Sequence, residues 1–203
     1  MDLLTQNSKL KNTSKLTGKK VFNFGIPAYK TASGKITCPF ADSCIKFCYA
    51  QKGAYIWSNV KPAFEKRYQI TLQDNFADIM QLEINKKKPD VIRVHDSGDY
   101  YSRAYLRKWL TIFNNNPKVH FYSYTNSISL FKEIKNLPGN FTVIYSDSGK
   151  QVDLIDKNKD RYTKIFKDKN ALEDAGFVDA SKNDLFATTI LNNDNNKIGL
   201  IYH

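Results

Sequence analysis

Cysteine is missing from all but one short stretch of this 203-residue chain, where three occur within eleven residues. That absence excludes a disulfide framework, which needs cysteines distributed along the chain in pairs. No apolar run approaches the ~20 residues that a helix needs to cross a bilayer. The opening Met1-Asp-Leu-Leu-Thr-Gln-Asn7 has neither the basic start nor the small-residue cleavage site of a secretory leader. Glycine and proline are sparse, at nine and six residues, and no low-complexity tract or Pro/Ser-rich linker divides the chain. These absences together predict a soluble, cytoplasmic protein organised as a single domain.

What is present is basic and aromatic. Thirty-one Lys and Arg face twenty Asp and Glu, giving a net charge of +11, and 13% of residues are Phe, Tyr or Trp. A folded α/β domain with an anionic partner, a nucleic acid or a phosphorylated ligand, fits that balance. Residues 1–20 are polar and lysine-rich; they read as a basic N-terminal arm, either loosely ordered or in contact with a phosphate backbone. Residues 21–203 read as the folded domain.

The order of elements follows from hydrophobic period. Val21 to Ile26 reads as a first strand. Trp57 to Lys86 carries an apolar stripe at helical spacing, with a break near Asp74, and Lys86-Lys-Lys-Pro89 ends it. Val91 to His95, Val119 to Tyr124 and Phe141 to Tyr145 then alternate with helices over Ser102–Asn114 and up to Ile134. Ser127 reads as a helix cap. Tyr162–Phe166, Leu185–Leu191 and Lys197–His203 read as further strands, with a helix over Lys169–Ala175 and a tight turn at residues 192–196. Strand, polar turn, helix, repeated, predicts a parallel sheet, here a partial or small (βα)n barrel. Right-handed crossovers put the turns after its strands along one edge, where ligands bind in open sheets and barrels alike. Those turns are His95-Asp-Ser-Gly-Asp99, Tyr124-Thr-Asn-Ser127 and Tyr145-Ser-Asp-Ser-Gly149. Their hydroxyls, carboxylates and glycines suit a polar ligand. His95, at a strand end, is a further candidate for this polar site.

The cysteine stretch, Cys38-Pro-Phe-Ala-Asp-Ser-Cys44-Ile-Lys-Phe-Cys48-Tyr-Ala50, has the spacing C-x5-C-x3-C. Structural zinc sites usually pair cysteines as C-x2-C and close with four ligands. Iron–sulfur clusters accept wider spacing, because each thiolate binds a different iron. The stretch therefore reads as the ligand set of a [4Fe–4S] cluster, with Cys38, Cys44 and Cys48 on three irons. The fourth iron would be left to His95, His203, an acidic residue or a small molecule. Zinc, a structural or redox-sensing cluster and a catalytic thiolate remain as alternatives.

Four motifs in order, C-P-x4-C-x3-C-Y-A, R-V-H-D-S-G-D-Y-Y, F-Y-S-Y-T-N-S and a terminal K-I-G-L-I-Y-H, resemble the phage "gene product 88" family over about Val21 to His203. The resemblance implies a phage-encoded iron–sulfur protein acting in the host cytoplasm. The layout is also similar to a small radical S-adenosylmethionine (SAM) enzyme, although those enzymes space their cysteines C-x3-C-x2-C. That likeness implies SAM on the cluster, with Ser97, Gly98 and Asp99 at its amino group. Thr125, Asn126, Ser146 and Asp147 would then meet its ribose and carboxylate. A non-enzymatic iron–sulfur or zinc protein that binds nucleic acid through its basic surface is the competing expectation.

Overall fold

The chain's short apolar runs become the strands of one parallel sheet. The computed structural model describes residues 2–192 and 194–202, the Phe47 side chain excepted. Its strands are β1 (Val21–Phe24), β2 (Val91–Val94), β3 (His120–Thr125), β4 (Phe141–Ser146), β5 (Tyr162–Phe166), β6 (Val178–Asp179) and β7 (Lys197–Ile201). They lie in the order β1-β2-β3-β4-β5-β7-β6, and every pairing is parallel. The sheet is a curled, open half-barrel, the coarse form of the partial barrel expected.

Helices α2 (Lys61–Leu72), α3 (Phe76–Lys87), α4 (Arg103–Asn115) and α5 (Ile128–Lys132) connect the first four strands; α6 (Lys169–Asp174) follows β5. Alternation along each strand sends successive side chains to opposite faces. Phe24, Ile92, Val94, Phe121 and Phe141 pack with Phe76 and Met80 of α3 and Trp109 and Phe113 of α4. The α4 stripe Tyr105, Leu106, Trp109, Ile112, Phe113 is wholly buried, and the Ser102 hydroxyl caps this helix by accepting from the Tyr105 N–H at 3.1 Å. Val21, Val91, Tyr122, Ile144 and Ile198 face the other way, into the concave side.

What fills the concave side departs from expectation. Residues 8–17 are not a loose arm but a helix, α1 (Ser8–Thr17). The Asn7 side chain caps it, and Gly18 closes it at φ 70° with its N–H on the Ser14 carbonyl. Leu10 of α1 is fully buried with Leu185 and Ala187. Upstream, buried Glu83 accepts from the N–H groups of Leu3 and Leu4, so this segment is fastened to α3 as well. Leu185–Leu191 is likewise not a strand. Asp184–Ala187 forms a single 3-10 turn, with the Asn183 side chain accepting from the Leu185 N–H. Ser127 precedes α5 without capping it and instead donates to the Tyr100 carbonyl at 2.9 Å.

Between β1 and α2 the chain leaves the sheet altogether. Residues 25–60 run over its C-terminal edge, with 3-10 turns at Ser43–Phe47, Tyr49–Gln51 and Gly53–Ile56. Long excursions of this kind are uncommon in compact domains unless they serve a function.

Candidate functional site: a cleft at the C-terminal edge of the sheet

The excursion and the turns after the strands enclose a cleft of about 740 Å³. That volume is within the range of small-molecule sites. Ser97, Gly98, Asp99, Asn126, Ser146 and Asp147 all line it, as do Cys38, Cys44, Cys48 and His95. Thr125 does not; it sits behind the wall. His203 lies outside the described residues.

Hydrogen bonds stitch the cysteine loop to the strand ends. The Asp99 N–H donates to the Thr37 carbonyl, and the Thr37 hydroxyl to the Pro27 carbonyl at 2.7 Å. Across the mouth, the Ser43 hydroxyl donates to the Ser148 carbonyl at 3.1 Å, and the Lys150 N–H to the Phe40 carbonyl at 2.8 Å. Gly149 permits this approach: a Cβ there would stand 2.7 Å from the Phe40 carbonyl oxygen and 2.4 Å from Asn126 Oδ1.

Asp99 proves structural. Its carboxylate accepts from the Thr125 hydroxyl at 2.6 Å and from the N–H groups of Tyr100 and Asn126 at 2.7 and 2.9 Å. Burial pushes this carboxyl up, against the pull of those donors. Three donors inside the protein thus engage this carboxylate, which also lines the cleft.

The thiols overturn the metal expectation. Cys38 precedes a turn and accepts from the Tyr29 N–H at 3.3 Å. Cys44 lies within a 3-10 turn, 3.8 Å from the Asn126 amide nitrogen that donates to it. Cys48 stands between two such turns. The sequence spacing brings the three onto one loop without converging them. Among the described residues no group of three or more His, Cys, Asp or Glu side chains could hold a metal ion. Burial also raises the Cys38 and Cys48 thiols, which favours the protonated form that ligates poorly. The residues do not fit a [4Fe–4S] cluster, a zinc ion, or SAM chelated on a cluster. The iron–sulfur and radical SAM readings are corrected accordingly.

A second cluster occupies the floor. Arg93 is the one charged residue of β2, and it is buried. Its guanidinium donates to Asp184 at 3.0 Å and to the Tyr49 hydroxyl at 3.0 Å, and lies 4.9 Å over the Tyr124 ring. Asp184 also pairs with Lys9 of α1 at 2.6 Å and accepts from the Tyr122 hydroxyl. Burial alone would raise the Asp184 carboxyl, but Lys9 and Arg93 outweigh it and hold the group well below the usual carboxylate range. An arginine inside an otherwise apolar strand was the available signal, since a buried charge needs a partner.

Tyr49 is the consequential member. Its hydroxyl donates to the Asp96 carbonyl and accepts from Arg93, and burial pushes the phenol up to about 12. Yet the residue is 53% exposed. The polar tip is thus anchored out of water while the ring lies open in the cleft wall, edge-on to Tyr55 with centroids 5.6 Å apart. The Tyr55 hydroxyl in turn donates to Asp96 at 3.0 Å. Asp96 is buried, and burial raises its carboxyl. His95 adopts φ 64°, a conformation uncommon for a non-glycine residue. Its ring is held among Phe24, Tyr100, Tyr105 and Trp109, with Nε2 2.9 Å from the Tyr105 hydroxyl. Burial lowers its pKa to about 3, so it is neutral at physiological pH.

Comparison with known proteins gives the chain its relatives. Two proteins named "Gene 88 protein", from Mycobacterium phage L5 and Mycobacterium phage D29, are each 27% identical over 101 residues. The match takes in 44% of this chain and 42% of each relative, so it spans less than half the length of either. No solved structure matches. The family model described as "Gene product 88" matches residues 2–201. On that near-complete match, the chain belongs to the Gene product 88 family.

Proposed function

We propose that the cleft binds a nucleotide-class ligand, a phosphorylated molecule carrying a planar base. The observation that carries this reading is Tyr49: a half-exposed ring held still by Arg93 and the Asp96 carbonyl, in the wall of a cleft sized for such a ligand. Aromatic rings of this kind stack on nucleobases irrespective of base identity. A ring already immobilised loses little side-chain entropy when a base settles on it. Lys164, also in the lining, supplies positive charge for phosphate, in keeping with the net charge of +11. Ser97, Gly98, Asn126, Ser146 and Asp147 supply polar contacts for a sugar and its substituents. Asp99 and Thr125 hold the wall in place.

Calorimetric titration with a panel of nucleoside phosphates and their parent nucleosides tests the proposal. Saturable binding is expected, tighter for the phosphorylated members. Tyr49→Ala, checked for folding by circular dichroism, is expected to weaken it about tenfold, the scale of one base-stacking contact. Tyr49→Phe, which keeps the ring and loses its anchor, is expected to fall between. Absence of saturable binding across the panel, or wild-type affinity in Tyr49→Ala, overturns the reading.

A further inference from the structure

We propose that the nucleotide entering the cleft belongs to a single-stranded nucleic acid, and that the strand approaches along the excursion between β1 and α2. This rests on the nucleotide reading of the cleft. The excursion and the first turns of α2 carry Lys30, Lys35, Lys46, Lys52, Lys61 and Lys66, all exposed. The only acids from residue 28 to 66 are Asp42 and Glu65, and Glu65 is engaged by the Ala32 N–H at 2.7 Å. None of the six lysines forms an ion pair among the described residues. Six exposed cations without ion pairs in one segment leave it with an excess of positive charge that an anionic partner would offset.

The rings within this basic segment narrow the class of anion. Tyr49 opens into the cleft, and Trp57, eight positions on, is 60% exposed. A large, bare indole beside lysines is a second stacking platform, outside the cleft where a free nucleotide would not reach. Lysines with interleaved, solvent-facing rings are the arrangement that follows a strand whose bases are unpaired. A duplex keeps its bases stacked and would leave both rings without a partner. The same surface would serve DNA or RNA, which differ at the sugar.

The test uses a fluorescently labelled 15-mer in DNA and RNA form, the corresponding duplexes, and a mononucleotide. Single strands are expected to bind more tightly than duplexes. Their affinity is expected to drop more than about tenfold between 50 and 200 mM salt, through counterion release. The surface variant Lys35→Glu/Lys46→Glu/Lys52→Glu is expected to weaken strand binding more than about tenfold and mononucleotide binding less than twofold. Trp57→Ala should weaken the strand alone, and Tyr49→Ala both. Duplex binding equal to single-strand binding, or wild-type strand affinity in the lysine variant, overturns the inference. Mononucleotide binding that depends on Tyr49, without strand binding, defeats this inference while leaving the cleft reading intact. Loss of both defeats both.

Discussion

The Thr125 hydroxyl donates to the Asp99 carboxylate at 2.6 Å, so the turn after β2 and the turn after β3 are one unit. An acidic residue at a strand end, which in sequence looked like a ligand contact, is spent on holding the wall of the cleft. Asp99→Ala would leave the Thr125 hydroxyl and two backbone N–H groups without their acceptor. A loss of about 3 kcal/mol in unfolding free energy is expected, measured by urea titration. Thr125→Val removes one donor and is expected to cost about 1 kcal/mol. Stability unchanged in both would show that the carboxylate is free.

His95 makes stability depend on pH. Its folded pKa, about 3, lies below the ordinary value near 6.5, so the unfolded chain takes up a proton before the native state does. The stabilisation is complete above pH 6.5 and is lost as pH falls toward 3. Raised carboxyls at Asp96 and Asp99 act in the opposite sense above their unfolded value of 3.8. The comparison is therefore with His95→Asn, which tolerates the positive φ and does not titrate. Between pH 6.5 and 4 the variant is expected to lose less stability than the wild type. Parallel curves would count against a neutral, buried His95.

Asp184 is the acid on which two elements converge, with Lys9 from α1 and Arg93 from β2. Asp184→Asn leaves both cations facing a neutral amide in a buried site. The expected cost is about 3–5 kcal/mol, read from denaturant midpoints. Lys9→Met, at a partly exposed position, is expected to cost less. Equal, small effects would mean that water reaches the triad.

How much of this was legible in sequence varied by element. The runs Val91–Val94 and Phe141–Ser146 announced a parallel sheet because such strands are buried on both faces and need little periodicity to be seen. The turns after β2, β3 and β4 follow parallel strands along one edge, and most of their residues line one cleft. Helix α1 was hidden because only Leu10 and Thr13 are buried within a lysine-rich decapeptide. Its stability comes from tertiary contact, not from an amphipathic stripe. Leu185-Phe-Ala-Thr-Thr-Ile-Leu191 looked like a strand, yet the chain turns there, where Asn183 caps the turn and Asp184 meets Arg93. Spacing placed three thiols on one loop but carried no information about whether their sulfurs would meet. Nothing local to Tyr49 marks it as a platform, because its anchor, Arg93, lies forty-four positions away in the chain.

The seam between the cysteine loop and the turn after β4 also bears on the order in which the molecule is made. Ser43 and Ser148 are 105 positions apart, so closure of the mouth is among the most non-local events in this fold. During synthesis, β1 to β3 can pair before residue 148 has left the ribosome. The excursion can already fasten to β2 and the turn after it through Arg93, Asp96 and Asp99, but the seam at Ser148 and Lys150 cannot yet close. The far side of the mouth stays open until β4 arrives. A nascent chain halted before β4 is therefore expected to carry three strands and an unclosed cleft, with full binding appearing only in the final third of translation.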